Sequence, residues 1–389
     1  MNKPLAPPFG GIYVHVPFCL RKCSYCDFFS IADLSLKPAF LKALSSEISA
    51  ADPGLLVFDT IYLGGGTPSI LAPADVTEII DGLFSKFRFE GSVEVTLEAN
   101  PGTVDLEKLK GFRSAGVNRL NIGVQSFQDK NLAMLGRIHS AQQAHAALSN
   151  ARRAGFENVG LDLMYGLPGQ ALRDWTADVE SALVHGPEHI ACYALTVEPA
   201  TPLAEEQRLG RFQPAPEGDV AELFMATSEI LAARGFLHYE ISNFARCGTD
   251  SCEGARVSRH NSKYWSHAPY LGFGPSAHSF LPPERFWNHR DVQHSVDELR
   301  SGRRPVAGKE VLTADQEMME VIMLGLRTAA GVDLQGFKRR FGADFMSLYG
   351  KSATELSSRG LLVLRDERCA PTRRGMLFLN TVIAALMAS

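Results

Sequence analysis

The chain has 389 residues, of which 45% are hydrophobic and 21% charged, and a net charge of −4. That balance suits one large globular domain plus a small one, and gives no electrostatic case for nucleic acid or anionic membranes as main partners. The opening MNKPLAPPFG has no apolar h-region, so a secretory signal is not expected, and the seven cysteines, an odd number, point to a reducing cytoplasm and no disulfide framework.

In chain order, a first strand is expected at GIYVHV from Gly11, followed by the cysteine-rich VPFCLRKCSYCDFF and a helix over 38–51. A second strand, FDTIYLGG from Phe58, runs into GGGTPS and a helix over 73–87. A third, SVEVTLEA from Ser92, ends in EANPG and leads to a helix over 105–115. A fourth, VNRLNIGV from Val117, ends in GVQSF, with a helix over 141–154. A fifth, NVGLDLMYG from Asn158, precedes LPGQ and a helix over 172–185, and a sixth, HIACYALT, starts at His189. Val-, Ile- and Leu-rich strands alternating with helices are the pattern of buried parallel strands with helical crossovers. About six such units predict an α/β fold, a partial (β/α)6 barrel, with an open doubly wound sheet as the alternative. In either fold ligands bind at the carboxyl ends of the strands, and the unusual loops all fall there.

Beyond about Pro305 the character changes. LTADQEMMEVIMLGLRT reads as a helix capped by Thr313, two shorter helices follow, LLVLRDERCAPT reads as a two-stranded wing, and MLFLNTVIAALMAS is too short and too polar at Asn380 to span a membrane and reads as a buried helix. The expected domains are therefore 1–305 and 306–389, the second small, helical and winged-helix-like. Its mixed charges carry no basic stripe for nucleic acid.

Cys19, Cys23 and Cys26 have the spacing Cys-x3-Cys-x2-Cys, and Phe28 stands two residues further on. A structural zinc site would need a fourth ligand, for which His15 is poorly placed inside the first strand. Thiolates also hold 4Fe–4S clusters, normally through four cysteines, so three would leave one iron open.

This spacing, with Tyr25 just before the last cysteine, resembles the signature of radical S-adenosylmethionine (SAM) enzymes. In that family the open iron chelates the amino and carboxylate groups of SAM. The GGGTP stretch resembles the family's methionine-binding loop. YVHVPFC, GGGTP, GVQSF, LGRIH, DLMYGLPGQ and HYEISNFA are similar to the branch that contains the oxygen-independent coproporphyrinogen III oxidase. The resemblance implies that Tyr13, Gly65 and Glu98 contact the SAM at the cluster, with Ala194 and His278 near it. It implies that Tyr25, Gly66, Thr67, Gln125, Arg137 and Asp162 line a second SAM site. Chemically, Glu98 and Asp162 can accept hydrogen bonds from a ribose or ammonium, and Arg137 can fork onto a carboxylate.

The oxidase carries a fourth cysteine where this chain has Phe28, and an N-terminal extension before its cluster. Both departures resemble the sister group, the HemW-type heme chaperones. RHNSKYW also resembles the motif linked to heme in that group, making His260, Tyr264 and Trp265 candidate heme contacts, with His278 as another candidate ligand. The resemblance implies a 4Fe–4S cluster, SAM and heme as bound groups. It implies acceptor heme proteins as partners, respiratory ones among the candidates, with membrane contact only through an acceptor, and a cytoplasmic monomer or homodimer. Two enzyme readings stay open beside the chaperone: oxidative decarboxylation of coproporphyrinogen III, and a SAM-radical methylase or cyclopropanase. RCGTDSCEGARVS reads as a polar insertion with incidental thiols, a metal site or redox disulfide at Cys247 and Cys252 being the alternative. Cys192 and Cys369 read as core residues.

Overall fold

The computed structural model describes residues 9–52, 54–248 and 251–388. The reading of the first eight residues as no signal, and the Thr249–Asp250 part of the insertion, lie outside them. Contacts divide the chain into Met1–Ala215 with Ala268–Val311, and Pro216–His267 with Leu312–Ser389. This differs from the expected 1–305 and 306–389 in two places. Residues 216–267, which include the RHNSKYW segment, fall in the second unit, and 306–311 stay with the first.

The first unit contains six parallel strands in the order of the sequence: β1 (Gly10–Val16), β2 (Val57–Gly65), β3 (Arg88–Ala99), β4 (Arg119–Gln125), β5 (Val159–Tyr165) and β6 (His189–Ala194). Each pairs with the next. A doubly wound sheet would reverse its order at a switch point, and this one does not. The crossovers carry α1 (Lys37–Ala50), α2 (Pro73–Lys86), α3 (Leu106–Ser114), α4 (Asp129–Met134), α5 (Ala141–Arg153) and α6 (Leu172–Leu183). Their starts are set locally: Asp105 caps α3 through the Lys108 N–H, and Ser140 and Gln143 cap α5 reciprocally.

Successive strand residues point to opposite faces. Ile12, Val14, Ile61, Leu63, Val95, Leu97, Leu120, Ile122, Leu161 and Leu163 are all buried. The alternate positions are polar: Tyr13 pairs in register with Tyr62, and Glu98 with Asn121. One face of the strands is thus a hydrocarbon core and the other a polar interior.

On the far side of β1 the sheet continues through Tyr270–Phe273, parallel to β1, and then through antiparallel His278–Leu281, Glu284–Asn288 and Val306–Val311. These four strands were not expected from sequence. They are short and interrupted by Gly, Pro and His, which hides the period of two.

In the second unit, a hairpin of Phe236–Glu240 and Asn243–Arg246 follows helix Glu217–Ala233. The helices expected after Thr313 occur at Ala314–Gly325, Leu334–Phe341 and Phe345–Ser358, and the wing is Leu362–Arg365 paired with Arg368–Pro371. Ile322, Phe337, Phe345, Leu356, Cys369 and Val382 form its core. Helix Leu379–Met387 buries Leu379, Val382 and Leu386 there, as expected of the C-terminal stretch. Cys192 and Cys369 are buried, whereas Cys247 and Cys252 are joined in a disulfide, which corrects the reading of incidental thiols. Among the described residues no helix is long and apolar enough to cross a membrane.

Candidate functional site

The loop after β1 carries the three thiols and is held from three sides. Its ends are tied together by the Cys19 N–H on the Ile31 carbonyl (2.9 Å) and the Ile31 N–H on the Pro17 carbonyl (2.8 Å). The glycine loop after β2 lies against it: the Gly66 N–H bonds the Val16 carbonyl at 2.9 Å and the Thr67 N–H the Phe18 carbonyl at 2.7 Å. Any Cβ at Gly66 would sit 2.7 Å from the Phe18 carbonyl oxygen, so only glycine permits this approach. From the third side, Arg21 donates to the carbonyls of Gly136 (2.7 Å) and Arg137 (3.0 Å).

His15, set aside at the sequence level as a poor ligand, joins these parts. The Phe29 carbonyl can only accept, so His15 Nε2 carries the proton and donates at 2.8 Å; Nδ1 then accepts from the Tyr13 hydroxyl at 3.1 Å. Gly65, at φ +105°, leaves room for this ring, since a Cβ there would lie 2.6 Å from it. Burial holds the imidazole down to about 4, and Arg290 adds to the effect, so His15 is neutral and both its nitrogens are engaged.

Thr67 Oγ1 lies 3.2 Å from the Cys19 sulfur, and an Arg137 N–H points at the Cys23 sulfur at 3.7 Å. Burial pushes the Cys26 thiol up, and its neighbours Cys23 and Cys19 add to this. Among the described residues no three His, Cys, Asp or Glu side chains converge on a single ion. Cys192 and Cys369 are buried elsewhere and Cys247 and Cys252 are paired, which leaves Cys19, Cys23 and Cys26 as the three free thiols of the loop after β1. Phe28 is 68% exposed, with its ring toward solvent.

Arg137 is a second point of convergence. It also donates to the Gly123 carbonyl and bonds Tyr25. Burial drives the Tyr25 phenol well up, opposed by the Arg137 charge. Gln125 ends β4 at φ +69°, a strained conformation for a residue with a side chain, and its amide nitrogen would lie 3.1 Å from a Cβ at Gly123. Asp178 of α6 anchors the following turn, accepting from Ser126 Oγ (2.7 Å) and the Phe127 N–H (2.8 Å). Sequence reasoning missed Asp178, which lies about fifty residues from the loop it serves and carries no motif.

Deeper in the polar interior, Tyr62 donates to Glu98 at 2.6 Å, and the Asn121 amide spans both oxygens of Asp162 at 2.9 Å. Burial lifts Glu98 to about 7, with Asp162 adding to it, and lifts Asp162 to about 6. Tyr13, Gly65, Gly66, Thr67, Glu98, Gln125, Arg137 and Asp162, with Tyr25 and the cysteines, thus share the strand-end rim and interior of one unit. Ala194 ends β6 at the same rim. His278 opens the strand after Phe273, exposed and stacked 5.9 Å from Trp287, and Arg290 acts on both His278 and His15.

The heme candidates lie on helix Arg259–Trp265 of the second unit. His260 is 1% exposed, with Nε2 2.9 Å from the Tyr264 hydroxyl, and Trp265 meets Tyr239 edge-on at 5.8 Å. The three residues share a helix, but the imidazole turns inward.

Residues 13–182 match the family model of the Radical SAM superfamily, and residues 312–378 that of the HemN C-terminal domain. The chain is 34% identical to the heme chaperone HemW of Bacillus subtilis, covering 96% of this chain and 98% of that one. It is 36% identical to the heme chaperone HemW of Mycobacterium tuberculosis, over 98% and 95%. Its fold is similar to that of the Escherichia coli coproporphyrinogen III oxidase HemN, with a TM-score of 0.82 at 21% identity over 98% of this chain and 90% of that one.

Proposed function

We propose that this chain, which belongs to the HemW family of the radical SAM superfamily, binds heme and passes it to acceptor heme proteins, with a 4Fe–4S cluster and SAM as resident groups. The observation that carries this reading is identity of 34–36% to heme chaperones over nearly the whole chain. Likeness to the oxidase at 21% identity speaks for fold alone.

Cys19, Cys23 and Cys26 would hold the cluster, which when bound supplies an electron and an iron open to SAM. The chain's own residues then have definite tasks. Neutral His15 fixes Tyr13 and the exit of the cysteine loop. The glycine loop brings backbone close to the thiols. Glu98 and Asp162 accept hydrogen bonds when ionised, and the Arg137 cation faces the Cys23 sulfur and the Tyr25 phenol.

For heme, the helix of His260, Tyr264 and Trp265 offers an imidazole and two flat apolar faces. The inward turn of His260 means that it ligates iron only if its bond to Tyr264 opens. Exposed His278 beside Trp287 is the alternative ligand.

The test is anaerobic. Reconstituted protein is titrated with heme, and separately incubated with coproporphyrinogen III, SAM and a reductant, with products separated by chromatography. Saturable heme binding without decarboxylated porphyrinogen is expected. Steady formation of that product over many turnovers would replace the chaperone with the oxidase.

A further inference from the structure

We propose that Arg119 is a positioning residue for the SAM site: a buried counter-charge at the floor of the strand interior that favours the ionised, hydrogen-bond-accepting form of Glu98 and Asp162. The inference rests on the reading that SAM binds at the strand ends above them.

Arg119 is 1% exposed. It pairs in register with Thr96, one inward-facing step below the Glu98–Asn121 pair. Room for its guanidinium comes from Gly160. A Cβ there would lie 2.7 Å from Asn121 Oδ1, 3.4 Å from Arg119 Nη2 and 3.4 Å from the His189 Cβ. Asn121 in turn spans Asp162, so Arg119, Asn121 and Asp162 form one stack. Arg119 Nε and Nη1 have no hydrogen-bond partner among the described residues.

A guanidinium taken fully out of water is costly and persists where nearby negative charge compensates. The groups facing this interior are Tyr13 and His15 of β1, Tyr62 of β2, Glu94 and Glu98 of β3, Asp162 of β5, and His189 and Cys192 of β6, with Arg137 from the loop after α4. Burial keeps Tyr62 and Cys192 protonated and His189 neutral. The carboxyls of Glu94, Glu98 and Asp162 are therefore the negative groups available, and the Arg119 charge opposes the upward push of burial on Glu98 and Asp162. Without it, two carboxylates in a poorly solvated space would tend to retain a proton, and a protonated carboxyl is a poorer acceptor.

Infrared spectra of cluster-free protein, 13C-labelled at Asp and Glu, read the protonated carboxyl band against pH, with Glu98→Gln and Asp162→Asn assigning it. In the wild type the band should titrate out between about 6 and 7. Arg119→Met should move the midpoint up by about one unit, while Arg119→Lys, which keeps the charge, should leave it nearly in place. SAM affinity of cluster-loaded protein near pH 7 should fall about tenfold in Arg119→Met, recover at higher pH, and be largely kept in Arg119→Lys. If Arg119→Met does not fold, Arg119→Gln serves for the same comparison. A midpoint unmoved in the neutral variant, or a loss of affinity equal at every pH, overturns the proposal. If wild-type protein binds no SAM, the reading of the site fails, and the infrared arm still decides whether Arg119 is the counter-charge.

Discussion

The Cys19 thiol, beside the Thr67 hydroxyl, and the Cys23 thiol, beside the Arg137 cation, have partners of different charge, although nothing in their spacing distinguishes them. All three cysteines are expected to be needed. Changing any one to Ala should abolish the roughly four irons per chain of reconstituted protein, and Cys192→Ala should not, as iron analysis will show. A variant lacking one thiol that kept a full, SAM-responsive cluster would remove that residue from the ligand set. His15 makes a second case at this scale. Its motif neighbours were legible because thiols at fixed spacing carry chemistry in their identity. Its own role was not, because a histidine inside a strand is distinguished only by what its two nitrogens meet. At His260, replacement by Ala should weaken heme binding or shift the Soret band with iron content unchanged. An unaltered spectrum and affinity would move the ligand to His278.

Among the elements, α6 reaches its target from a distance. Asp178 satisfies the Phe127 N–H and the Ser126 hydroxyl, so the turn that places strained Gln125 depends on a helix of the next crossover, about fifty residues on in sequence. Asp178→Ala leaves buried donors without an acceptor and should cost about 2–4 kcal/mol, measured by denaturant titration, with Asp178→Asn milder. A cost below about 0.5 kcal/mol would mean that the turn holds itself. The insertion before helix Arg259–Trp265 supplies the other element-scale expectation. Peptide mapping of unreduced protein should recover Cys247 and Cys252 linked, and Cys19, Cys23 and Cys26 free in cluster-free protein. Recovery of both insertion thiols unpaired would restore the reading of incidental cysteines.

Across the whole molecule, four buried carboxyls among the described residues lie above their ordinary values: Glu47 at about 7, Glu98 at about 7, Asp162 at about 6, and Asp178, which burial raises. Between the unfolded and folded values the folded chain holds protons that the unfolded chain has released. Their contribution to stability is therefore full below about pH 4 and is lost as pH rises through 6 to 7. Glu47, pushed up by burial, accepts from the Gly274 N–H and from Asn288, tying α1 to the added strands. In Glu47→Gln the loss of stability between pH 5 and pH 8 should shrink by about 1–3 kcal/mol, and an unchanged slope in denaturant titrations at the two pH values would refute the assignment. The chain by itself determined the six parallel strands, their helices, the terminal helical unit and the grouping of Cys19, Cys23 and Cys26 on one loop, because period, capping and spacing are local properties of neighbouring residues. Tertiary structure alone decided that four short strands, the first parallel to β1 and the rest antiparallel in turn, extend the sheet beyond β1, that residues 216–267 join the terminal unit, and that Arg119, Asn121 and Asp162 stack across β4 and β5. Those outcomes depend on which strand lies beside which, and a pairing between distant segments leaves no periodic trace in either one.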